Sequence, residues 1–198
     1  MDIVVGGSFH KDNWGEVRTT IEMLNNSGHH IVAPGGEWEP INLDDEFVKF
    51  KGEETVPREV LQGQFYGKIN EIADVFVVVD KDGYIGETVI NEILDAMDIS
   101  QVRVKLKAIY FTETPFFYEI FNNAGLHYKD FVNYLLANRE DNKRLIPLVR
   151  QNWEKYNEIY RQMCGNPNIS FVIGIDNLTR NHSNNLRPSK PADDIEYE

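Results

Sequence analysis

The sequence predicts an α/β fold built on a mainly parallel sheet, and three observations predict it. Short apolar runs alternate with stretches of helical periodicity along the first 112 residues. One run, Val75 to Val79, is continuously apolar: too short to span a membrane, and typical of a strand covered on both faces. Glycine-punctuated turns follow two of the runs, at Gly6-Gly7 and between Gly83 and Gly86. Strand and helix alternating at this spacing indicate βαβ units with right-handed crossovers.

Residues 2–7 (DIVVGG) read as the first strand. Asn13 to Asn26 place Val17, Ile21 and Leu24 at helical spacing, and Ser27-Gly28 closes that helix with a glycine cap. His30 to Ala33 form a short second strand that ends at Pro34-Gly35-Gly36. Glu37 to Pro57 is rich in Asp, Glu and Lys with little period; it reads as a long loop, a kind of segment that often serves as a lid. Arg58 to Ile72 reads as a helix with Val60 or Leu61, Phe65, Ile69 and Ile72 on one face. Ala73 to Asp80 is the third strand, Gly86 to Gln101 the next helix, and Lys107 to Phe111 the fourth strand. Tyr118 to Ala137 and Leu148 to Met163 are helical stretches, with Pro147 suited to a first turn, and Ile169 to Ile175 forms a last strand. The expectation is one domain over 1–175 with a helical extension over about 116–164. The stretch from Asp176 to Glu198 has few apolar residues and is expected to be disordered or ordered only against a partner.

The formal net charge is −12, from 20 Lys+Arg against 32 Asp+Glu. That balance argues against a nucleic-acid polymer, whose phosphates reward clustered cations, and against an anionic membrane surface. It leaves room for a small anionic ligand, which backbone N–H groups at a helix N-terminus can hold. Cys164 is the single cysteine, so no intrachain disulfide can form; with no signal-peptide pattern and no long apolar run, the cytoplasm is the expected compartment. Cys164 stands beside Gly165-Asn166-Pro167, a helix-end signal, and is not read as a nucleophile. The five histidines show no metal-ligand spacing, and neither a metal nor a cofactor is expected.

The chemistry concentrates between Ala73 and Ala96. Ligands of open α/β sheets bind beyond the carboxyl ends of the strands, where Asp80 and the turn after it would stand. On a helix begun at Gly86, Glu92 lies about 60° from Val89 and about 40° from Ala96. It therefore borders a buried stripe of Val89, Ile93, Ala96 and Met97, and partial desolvation raises its pKa. Gly83 and Gly86 allow a tight turn and a close approach to a ligand, and the Gly86 helix presents free N–H groups. At the first turn, Gly7 and Ser8 permit close approach and offer a hydroxyl, while Phe9 either stacks on a base or packs. Gly6-Gly7-Ser8-Phe9 is not a dinucleotide fingerprint. A plainer account also fits the spacing: Asp80 caps the loop after its strand, and Glu92 is a solvated helix residue. Asp82, Glu87 and Asp95 read as solvent-facing or capping.

At these residues the chain resembles the nucleoside 2-deoxyribosyltransferase superfamily, including its deoxynucleotide N-hydrolase relatives. The likeness rests on the strand ending in Gly-Gly-Ser-Phe, on Ala-Asp-Val-Phe-Val-Val-Val-Asp after a helix, and on a glycine turn leading into Glu92-Ile93-Leu94-Asp95-Ala96. It spans roughly residues 2–112. The resemblance implies a doubly wound parallel sheet of flavodoxin type, here with extra C-terminal helices. It implies that Glu92 is a nucleophile that attacks the anomeric carbon of a 2′-deoxyribonucleoside, with Asp80 beside it at the sugar. The base leaves, a glutamyl–deoxyribose ester forms, and a second base or water attacks it. Ser8 and the N–H groups near Gly86 would then bind the 5′ end of the sugar, Phe9 and Tyr84 would flank the base, and Gly7 and Thr88 complete the substrate-binding set. A homo-oligomer with shared active sites and a small nucleoside or nucleotide as the bound molecule are implied too. The alternatives are an N-glycoside hydrolase and a non-catalytic nucleotide sensor.

Overall fold

The computed structural model describes residues 1–10, 12–34, 48–80, 83–97, 105–124, 127–129, 132–133, 145–166 and 168–180. Within them lies a five-stranded, all-parallel sheet: β1 (Asp2–Gly7), β2 (His30–Ala33), β3 (Val75–Val79), β4 (Ala108–Phe111) and β5 (Ser170–Ile173), in the order β2-β1-β3-β4-β5. This is the doubly wound order of flavodoxin type. The chain winds one way from β1 to β2 and the other way from β3 onward, so the switch point lies between β1 and β3. Those strands run in register from Ile3 opposite Val75 to Gly7 opposite Val79. Their carboxyl ends therefore stop level, and the crevice opens there.

Side chains alternate across each strand. Ile3, Val5, Val75 and Val77 face one side, under α1 (Trp14–Asn26) and a short helix, α6 (Asp176–Thr179). Val17, Ile21 and Leu24 are the buried face of α1, as the periodicity indicates, and Gly28 closes the helix at φ 82°. Val4, Phe76, Val78, Ile109 and Phe111 face the other side, under α2 (Arg58–Gly67), α3 (Glu87–Ala96), α4 (Phe116–Ala124) and α5 (Leu145–Gly165). Pro147 sits in the first turn of α5, where its missing N–H costs nothing. No helix among the described residues is long and apolar enough to cross a membrane.

The structure differs from the sequence reading at two places. The helix over 58–72 is not uniform: α2 passes at Lys68 into a π-helical turn, Lys68–Ile72. The wider turn shifts the phase, so Ile69 is buried while Ile72, expected on the same face, is 43% exposed; Leu61 turns inward and Val60 does not. The expected tail also begins late. Residues 176–180 are ordered against this chain: Leu178 is buried, the ring Nε2 of His29 lies 2.8 Å from the Leu178 carbonyl, and Ser27 Oγ donates to the Thr179 carbonyl at 3.1 Å. The rest of that stretch, the greater part of the 37–57 loop, Lys11, Asp82 and the residues after Met97 in the expected 86–101 helix lie outside the described residues.

Candidate active site

Glu92 is the side chain on which the crevice converges. It projects from the second turn of α3 and is buried in line with Val89, Ile93 and Ala96. The helical wheel placed it at the border of that stripe; the fold takes it inside. The space exists because β1 ends in glycine. A Cβ on Gly6 would stand 3.2 Å from Glu92 Oε2 and 2.6 Å from the Phe76 ring, so only a residue without a side chain lets both approach the strand. Glu92 Oε2 is sealed from solvent and has no hydrogen-bond partner. Burial alone pushes the carboxyl up to about 8.

Two adjoining cavities, about 290 and 230 Å³, share Phe9, Arg58, Thr88 and Glu92. Taken together they reach the size usual for small-molecule sites. The larger is walled mainly by apolar side chains from the first βα turn, the 48–56 segment and α2, with Phe50 and Phe65 among them. The smaller is formed by Gly7, Ser8 and Asn13 on one side and by Tyr84, Gly86, Glu87 and Thr88 on the other. It is floored by the N-terminus of α3. That helix has no side-chain cap, which leaves first-turn N–H groups for another acceptor.

The structure thus brings Glu92 together with Gly7, Ser8, Phe9, Tyr84, Gly86 and Thr88 around the smaller cavity. Asp80 stands apart from them. It is buried, but among the described residues it lines neither cavity. Its Oδ1 accepts from Thr112 Oγ1 and from the Glu113 N–H, both at 2.9 Å, and Thr112 Oγ1 lies 3.1 Å from the Asp80 N–H. The aspartate ties the end of β3 to the end of β4. Burial raises its pKa to about 6 against these lowering bonds, and the nearby Glu113 carboxylate raises it further. Asp80 Oδ1 is thus taken up by the residues that follow β4, while its Oδ2 is buried with no hydrogen-bond partner, as Glu92 Oε2 is.

The local chemistry of the other positions is mixed. Ser8 Oγ accepts from Asn13 Nδ2 at 3.1 Å. Phe9 packs, stacked on Trp14 with centroids 5.9 Å apart and edge-on to Phe50 at 6.2 Å, and still contributes to both cavity walls. Gly83 needs its glycine, at φ 74°. Gly86 does not: its φ is −74°, and a Cβ there would meet nothing within 4 Å. Glu87 is exposed and paired with Lys155 at 3.1 Å, and Asp95 accepts from Asn70 at 2.7 Å. Among the described residues, no cluster of His, Cys, Asp and Glu could hold a metal.

Sequence reasoning missed Arg58, Lys68 and Asn13 as wall residues. Arg58 follows Pro57 at the start of a helix 34 positions before Glu92, and nothing in its neighbourhood marks it. Asn13 was legible only as a helix start. No protein-family model, no curated protein and no solved structure matches this chain.

Proposed function

We propose that the protein transfers the 2-deoxyribosyl group of a nucleoside between bases, through a covalent ester on Glu92. One observation carries this reading. A buried carboxyl with an unpartnered oxygen stands on the wall shared by two cavities, at the switch point of a doubly wound sheet. A carboxyl desolvated for packing alone would cost stability with no return. Between two cavities it can meet a reactive carbon directly. Glu92 attacks the anomeric carbon from one face as the glycosidic bond breaks, and the electron pair of that bond leaves with the base. A second base attacks the same carbon, releases the glutamate and gives net retention.

The apolar larger cavity suits a heterocycle, and the smaller one, with Ser8 and the α3 N-terminus, suits sugar hydroxyls. Because burial holds Glu92 protonated near neutrality, its proton must leave to solvent as ligand donors stabilise the carboxylate that attacks, and the departing base takes up a proton from solvent in turn. Asp80 acts at one remove, by fixing the ends of β3 and β4. The resemblance adds a homo-oligomer with shared sites to this reading, which sedimentation of the full chain would test.

The direct experiment is base exchange between a deoxynucleoside and a free base, with Glu92→Gln as the variant. The amide keeps the shape and cannot form the ester. Turnover should fall at least about 10³-fold. Undiminished exchange by the variant removes Glu92 as nucleophile.

A further inference from the structure

We propose that the ligand of this site brings a negative charge into the larger cavity, where Lys49 and Lys68 receive it. This inference rests on the reading that the cavities beside Glu92 take a nucleoside. The chain as a whole is strongly acidic, yet three of its 20 basic residues line one apolar cavity. Lys49 and Lys68 are half-buried, and among the described residues neither forms an ion pair. In a chain with 32 acidic residues such lysines are easily neutralised, so leaving these two without a carboxylate is a feature of the cavity.

Among the described residues two acids share that wall. Glu53 uses Oε2 to accept from the Phe50 N–H at 3.0 Å, and burial keeps Glu92 in its neutral form below about pH 8. Among the described residues the wall thus carries Lys49 and Lys68 with no carboxylate paired to them. Its other side chains include Phe9, Phe50 and Phe65, which lower the local dielectric and strengthen any charge pairing. A neutral nucleoside would fill the aromatic part and leave the cations in water. A nucleoside with an anionic substituent satisfies both. The π-helical turn contributes here, since Lys68 is its first residue and faces the cavity while Ile69 enters the core.

The charge has two chemical sources, a 5′-phosphate on the sugar or an acidic group on the ring. Four probes separate them by calorimetry on the full chain at pH 7: deoxyuridine, its 5′-monophosphate, uracil and 6-carboxyuracil. The charged member of at least one pair should bind at least tenfold tighter than its neutral counterpart. Lys49→Gln and Lys68→Gln should each cut that ratio at least threefold, and Lys68→Arg should keep it. Preference within the first pair places the charge on the 5′ end, and within the second on the ring. Equal binding in both pairs, no binding by any probe, or a preference that survives both glutamine variants overturns the proposal. Its failure is separable from that of glycosyl transfer. Exchange of neutral deoxyuridine without charge preference removes the anion and leaves the transfer, while charge-selective binding without turnover does the reverse.

Discussion

Glu92 illustrates what a residue does when a fold buries it without a partner. Its carboxyl is shifted up to about 8 by desolvation, from an ordinary value of 4.5. Below the ordinary value, folded and unfolded chains are both protonated. As the pH rises from about 4.5 to about 8, the unfolded chain releases a proton that the folded chain keeps, so stability falls across that window and is level above it. Glu92→Gln does not titrate. The variant should gain on the wild type between pH 5 and pH 8 by up to about 3 kcal/mol, measured by urea unfolding at both values. Asp80 titrates in both proteins and cancels from the difference. A gap independent of pH would show that the carboxyl is already ionised or solvated. Gly6 is the counterpart on β1. Gly6→Ala pushes a methyl into the Phe76 ring and towards the Glu92 carboxyl, and should cost about 1–3 kcal/mol of unfolding free energy while moving Glu92 off the cavity wall. Glu92 was legible from spacing and from resemblance. The depth of its burial was not, because that depends on a glycine 86 positions earlier.

Among the elements, α3 and α5 form the support of the smaller cavity. Tyr156 on α5 is buried and donates a 2.7 Å hydrogen bond to the Ile85 carbonyl, one residue before the α3 cap. Next to it Lys155 reaches Glu87 at 3.1 Å and Asn91 at 2.9 Å. The C-terminal helix thus holds the turn that carries Tyr84 and Gly86. Tyr156→Phe keeps the ring stacked on Phe117 and removes only the hydroxyl, so the Ile85 carbonyl loses its buried donor. The expected loss is about 1–3 kcal/mol, with faster amide exchange in the first turn of α3 than in β4. Unchanged exchange there would show that α5 packs without holding the turn. The sequence showed α5 as a helix but not this grip, since the partners stand 64 to 71 positions apart and no local pattern records them. The π turn in 68–72 was hidden for a similar reason: its apolar residues keep a helical period even where the backbone does not.

At the scale of the molecule, the fold was the most legible property and the site the next. Apolar runs with glycine ends gave β1 and β2 to the residue, because strand and turn chemistry are local. The parallel sheet followed from the alternation of elements, and the order β2-β1-β3-β4-β5 puts the switch point where the two glycine turns lie. What stayed hidden is what separate elements bring together: Lys49, Arg58 and Lys68 on the wall of a cavity that Glu92 also lines, and Asp80 Oδ1 bonded to the residues that follow β4. All of this converges on one chemical claim, that Glu92 forms a bond to the sugar. Incubating the protein with a 2-fluoro-2-deoxyribosyl nucleoside, whose fluorine slows the second displacement, and locating the adduct by peptide mass spectrometry tests it most directly. The account predicts one fluorodeoxyribosyl group per chain, on Glu92. An adduct on another residue, or release of the base with no covalent species at any time, would contradict it.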